Sequence, residues 1–249
     1  MQHLRRRLIC STGVIACGLI AACVTAPELS PPQGAATVPA RDLKAGQYWE
    51  YAVHDAYTGL PRGVYRYTVA RLDATQAVVD VIQDGVHVDA YVYAPGWNPI
   101  EQPLTNLQRF RYKPPFPAYE FPLYPGKTWR RIVRATDPIT GKSYSVHVHA
   151  RVGGWRRIHV PAGEFDALQV VRYVYAGNAE FFRLQEEITQ TDWYAPSVGY
   201  VVVNEGNSSH IDTSRSGGGR GRPLRVRGDW LIAELVRYSG GSAELRAPQ

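Results

Sequence analysis

The chain has 249 residues, of which 45% are hydrophobic, 20% charged and 11% aromatic, enough for one large domain or two small ones around a sizeable core. A disulfide-stapled miniprotein, wholesale disorder and a multi-span membrane protein are excluded, and with Cys10, Cys17 and Cys23 as the only cysteines the body holds no cysteine-zinc site. The formal charge of +6 falls to +3 once Arg5, Arg6 and Arg7 leave with the leader described next, which gives no support to a nucleic-acid partner.

Those arginines form a positive n-region, and residues 8–22 that follow are uncharged and mostly apolar. That run is about 15 residues, short of the roughly 18–20 that cross a bilayer, so residues 1–22 predict a cleaved export signal. At its end Ile20-Ala21-Ala22-Cys23 resembles the lipobox of bacterial lipoproteins. The resemblance implies lipidation of Cys23, which then heads the mature chain and anchors it to the lipid bilayer. Val24 stands where an Asp would favour inner-membrane retention in enteric-type bacteria, so the resemblance leans toward an outer-membrane protein facing the periplasm. Val14-Ile15-Ala16-Cys17 is a poorer lipobox, since cutting there leaves an h-region of only about nine residues. The paired arginines leave both general and twin-arginine export open. Residues 23–41, with Pro27, Pro31, Pro32 and Pro39, predict an extended tether.

From 42 to 238 the apolar period is two. Val78–Ile82 and Val86–Tyr93, joined by Asp84-Gly85, spell a β-hairpin with a type I′ turn. Gly63–Leu72, Ser143–Val152, Trp155–Val160, Ala167–Tyr175, Glu180–Tyr194, Gly199–Val203 and Trp230–Tyr238 also predict strands, and no segment holds a 3.6-residue pattern for three turns. The expected fold is all-β: a single antiparallel domain built from meanders, as a curved sheet, half-barrel or sandwich. Gly46-Gln47-Tyr48-Trp49, Thr58-Gly59 and Arg71 are echoed by Gly126-Lys127-Thr128-Trp129, Thr140-Gly141 and Arg151, which suggests two related meanders over 43–93 and 123–175 or two hairpins with the same punctuation. Between them lies an aromatic and proline-rich crossover, 94–122. Eight prolines between Pro95 and Pro125 argue against a central strand there. Residues 239–249 form a polar tail.

Three strings, Phe121–Trp129, Val160–Ala167 and Trp193–Tyr200, are similar in order to those of uncharacterised exported β-rich bacterial proteins. The resemblance spans roughly 121–203, implies the fold, and carries over no catalytic residue.

Candidate chemistry is sparse. His147 and His149 share one side of a strand and could begin a metal site if His159, His54 or Asp137 supplied a third ligand; a solvated strand face is the alternative. No nucleophile elbow or phosphate-cradling loop occurs, and adjacent Glu186 and Glu187 face opposite sides, so no catalytic residue, metal or cofactor is expected. Trp97, Phe110, Tyr112 and Phe116 beside Arg109 and Arg111 could stack on a sugar, line an apolar cavity, or serve as ordinary core. The Gly/Arg-rich stretch 214–228, with Arg215, Arg220, Arg222, Arg225 and Arg227, could contact anionic groups of lipid or glycan, or form a solvated loop. These features favour a non-enzymatic structural or binding module whose partner is an envelope protein, glycan or lipid. A half-barrel carrier of an apolar ligand is the alternative and a metal-dependent hydrolase the third.

Overall fold

The computed structural model describes residues 35–105, 108–177, 183–212 and 224–239. Alternating β-branched and aromatic residues drive the chain into strands that run up and down in sequence order: β1 (Tyr48–Asp55), β2 (Pro61–Leu72), β3 (Ala77–Gln83), β4 (Val86–Ala94), β5 (Asn98–Thr105), β6 (Gln108–Lys113), β7 (Thr128–Thr136), β8 (Ser143–Val160), β9 (Gly163–Ala176), β10 (Arg183–Ala195), β11 (Tyr200–Asp212) and β12 (Leu224–Tyr238). Among the described residues every neighbouring pair is antiparallel and β1 pairs with β12, so these strands close into one barrel. Closure goes beyond the curved sheet, half-barrel or sandwich expected. It removes both free edges of the sheet.

Strand identities follow the period-two pattern, but several boundaries move. The strands expected at Ser143–Val152 and Trp155–Val160 are one, β8, whose register shifts at Gly153 and Gly154. β11 continues past Val203 to Asp212, and β12 starts at Leu224, so Arg225 and Arg227 stand in a strand and not in the loop expected over 214–228. The larger correction is the crossover. Residues 98–113 supply β5 and β6, which complete the barrel. Their prolines are tolerated because pairing there is short and irregular: Pro99 and Pro103 sit at register shifts, and β4–β5 and β6–β7 each pair over three residues.

One side of each strand faces the lumen. On β8 Val146, Val148, Ala150 and Val152 are buried, and on β9 Val170, Arg172 and Val174. The outer face carries exposed Arg130, Arg134, Arg151 and Arg157.

The two ends differ. The far end of the barrel, where hairpins such as Asp84-Gly85 turn, carries half-buried or exposed lumen residues, among them Asn204, Ser208 and Asp229. The near end is stoppered by residues 114–123, in which Phe116, Ala118, Tyr119 and Leu123 are all buried. Cis peptides at Lys113-Pro114 and Phe121-Pro122 bracket this segment. It is held by backbone and side-chain hydrogen bonds: Phe116 N to Pro99 O (2.7 Å), Tyr119 N to Asn98 Oδ1 (2.9 Å), and Trp129 Nε1 to Pro117 O (3.0 Å). Val38, expected within the tether, is 2% exposed and exchanges two 2.7 Å hydrogen bonds with Leu123, so the end of that segment belongs to the folded body.

The β1–β2 and β7–β8 hairpins use the same fastenings. Gly46 and Gly126 both have positive φ (81° and 86°), and their amides donate to Val69 O and Val152 O. Asp55 and Asp137 each accept from the amide two residues on, while Gly59 and Gly141 donate back to the Asp55 and Asp137 carbonyls.

Candidate functional site: a tyrosine-lined chamber

Above the stopper the lumen is not filled. A cavity of about 260 Å³ lies between the walls, lined by tyrosines from four strands (Tyr51, Tyr67, Tyr91, Tyr93, Tyr200) and by Tyr119 and Phe116 of the stopper. Tyr67, Tyr91, Gln102, Gln190, Asn204 and Tyr200 point into the lumen yet are only half-buried, so solvent reaches the chamber.

Its floor is an ion pair. Arg172 on β9 and Asp192 on β10 are 4% and 2% exposed, and Arg172 Nη1 lies 2.7 Å from Asp192 Oδ2. Arg172 registers opposite Gln190 and Asp192 opposite Val170, which makes the charges diagonal neighbours on the lumen side. Further hydrogen bonds hold the pair: Nε of Arg172 donates to Gln190 Oε1 (3.2 Å) and Nη1 to Ala118 O (3.3 Å). The Asp192 carboxylate also accepts from Asn204 Nδ2 (2.6 Å) and from the Tyr119 hydroxyl. Burial pulls the Arg172 guanidinium down, but Asp192 and Tyr119 outweigh it and its pKa stands above the ordinary value.

The tyrosines behave differently. Burial raises Tyr67, Tyr91 and Tyr200 above their ordinary value, so at neutral pH they are phenols and not phenolates. Tyr51 donates to Val201 O (2.7 Å), and Tyr93 and Tyr200 hydrogen-bond to each other. Among the described residues the hydroxyls of Tyr67 and Tyr91 and the amide of Gln102 have no hydrogen-bond partner.

Trp97 forms one wall. It has a positive φ of 63°, unusual for a large side chain, and is held there by its indole donating to Gly199 O (3.3 Å) and by close rings: Tyr200 at 4.0 Å, Trp49 at 5.1 Å and Tyr93 at 5.3 Å.

The structure divides the six residues expected to bind together. Trp97 and Phe116 line the chamber, whereas Phe110 and Tyr112 are buried core beside Tyr144 and Phe116. Arg109 and Arg111 alternate with Phe110 and Tyr112 on β6 and so take the opposite face, where both pair with Glu101 and Arg109 also reaches Asp89. Of the anion-contact set, Arg225 is held by Glu187 (2.7 Å) and Arg227 is exposed on β12, while Arg215, Arg220 and Arg222 lie outside the described residues, as does Cys23.

His147 and His149 face outward, because Val146, Val148 and Ala150 take the lumen side. His149 packs on Tyr175, His159 sits 3.1 Å from Glu164, and Asp137 caps its own turn. No group of three possible ligands converges among the described residues.

Sequence reasoning missed Arg172, Asp192 and the tyrosine lining. A signal existed: Arg172 shares the parity of Val170 and Val174, and Asp192 that of Ile188 and Tyr194, which puts opposite charges on two apolar faces.

No protein-family model and no curated protein matches the chain. It is similar in chain path to several solved structures, three of which follow. A candidate lipoprotein from Parabacteroides distasonis has 13% identity and a TM-score of 0.49, covering 81% of this chain and 98% of that one. An exported protein with a YmcC-like fold from Bacteroides fragilis has 12% identity and a TM-score of 0.44, with 81% and 99% covered. The lipoprotein YmcC of Escherichia coli has 10% identity and a TM-score of 0.39, with 82% and 86% covered.

Proposed function

We propose that this chain is a lipid-anchored protein of the bacterial envelope whose barrel is a non-enzymatic binding module. The Ile20-Ala21-Ala22-Cys23 motif behind an export signal supports the anchor, and Val24 favours the outer membrane on its periplasmic side. The observation that carries the binding role is the unfilled chamber. A purely structural barrel gains stability by filling its lumen, because each buried methylene contributes about 0.8 kcal/mol and a void forfeits contacts. Here about 260 Å³ stays open to solvent beside phenol hydroxyls and an amide without partners.

The chamber is a poor host for an acyl chain. An alkyl ligand would cover the polar groups of Tyr67, Tyr91 and Gln102 without replacing the water they lose, at about 1–3 kcal/mol for each group left unpaired. This weighs against the apolar carrier.

The test uses protein taken from its native envelope. Mass spectrometry of small molecules released from it should find one compound in near-stoichiometric amount. Native protein that releases nothing would leave a structural module instead. Metabolic labelling with palmitate tests the anchor separately: the wild type should take up label and Cys23→Ser should not.

A further inference from the structure

The chemistry of the chamber wall specifies more than an unnamed small molecule. Among the described residues its only charged lining residues are Arg172 and Asp192, which neutralise each other at 2.7 Å, so the floor offers no net charge. An anion would have to enter beside the Asp192 carboxylate, which already neutralises the guanidinium, and a cation would have to displace that guanidinium from the carboxylate. The groups still able to bond are neutral, and most can both donate and accept: the Tyr67 and Tyr91 hydroxyls, the Gln102 amide, and the second amide atoms of Gln190 and Asn204, each of which spends one atom on the ion pair. Around them stand the half-buried rings of Tyr67, Tyr91 and Tyr200, whose faces suit the C–H side of a saturated ring. The volume corresponds to about nine waters at about 30 Å³ each, the room that one six-membered ring with its hydroxyls occupies.

We infer that the chamber binds a neutral, polyhydroxylated ring of single-sugar size, seated between the aromatic wall and the Tyr67, Tyr91 and Gln102 side chains. The inference rests on the binding role proposed above and names the ligand class for that same site. Hydroxyls that donate and accept in turn satisfy such a wall. A carboxylate or phosphate, which only accepts, does not.

The mature lipoprotein, in a detergent without a sugar headgroup, is titrated by calorimetry and by tryptophan fluorescence with glucose, galactose, mannose and N-acetylglucosamine, and in parallel with glucuronate, inorganic phosphate and palmitate. The expected result is saturable binding of at least one neutral sugar with a change in fluorescence. Tyr67→Phe and Tyr91→Phe should each weaken it about three- to tenfold, as loss of one hydrogen bond implies, while Arg111→Ala on the outer face leaves it unchanged. Neutral-sugar binding that ignores both tyrosine substitutions would overturn the placement. Binding or native extraction of glucuronate, phosphate or an acyl species in place of a neutral sugar overturns the inference and leaves the binding role standing. Failure of every probe, together with an empty native protein, overturns both.

Discussion

Replacing Asp192 by Asn changes almost no volume but removes the one anion facing Arg172. The guanidinium then stays charged, 4% exposed, with only Gln190 Oε1, Ala118 O and an amide oxygen for company. Breaking a buried pair from one side costs about 3–5 kcal/mol, because the surviving charge keeps its desolvation penalty and loses the attraction that offset it. With a urea slope of about 2 kcal/mol per molar, the unfolding midpoint should fall by about 1.5–2.5 M with the slope unchanged. Tyr119→Phe removes a single donor to the same carboxylate and should cost less, about 1.5–3 kcal/mol. The double variant Arg172→Met with Asp192→Leu removes both charges and should recover the larger part of the Asp192→Asn loss. A loss below about 1 kcal/mol for Asp192→Asn, or a double variant worse than the single one, would refute the account of the floor as a coupled pair.

Three further outcomes follow from the geometry. Burial holds Tyr194 up at about 12, against an ordinary value of 10.0, so its contribution is complete below about pH 10 and disappears as the pH rises through 12; tyrosinate absorbance should therefore lag behind free tyrosine and rise together with the loss of β-structure. Gly63→Ala should destabilise by about 1–3 kcal/mol in thermal unfolding, since φ is +113° and the new Cβ would lie 2.6 Å from Asp84 Oδ2, displacing the carboxylate that accepts from Val64 N. Val38→Ala removes two buried carbons, the equivalent of two methylenes, and should cost about 1.5–2.5 kcal/mol in urea, whereas the same substitution at a residue of a free tether would cost nothing.

Alternation made the strands legible, because a period of two survives in runs such as Val146–Val152 whatever their partners are. Closure was not legible. It depends on β5 and β6, where Pro99 and Pro103 mask the pattern and a register shift absorbs each of them. The chamber was hidden for a related reason: Tyr67 and Tyr91 look like ordinary inward aromatics, and only the spacing between opposite walls leaves their hydroxyls without partners among the described residues. Trp97 could be singled out for its type, but its left-handed backbone, which presents the ring to Tyr200, comes from packing that no local pattern encodes.

The stopper also decides which mouth of the barrel is shut. Val38 is clasped to Leu123 at the near end, so the chain enters the folded body beside the sealed base, opposite the vestibule. If Cys23 carries the anchor proposed above, the point of mooring and the doorway to the chamber belong to opposite ends of the molecule, and neither obstructs the other.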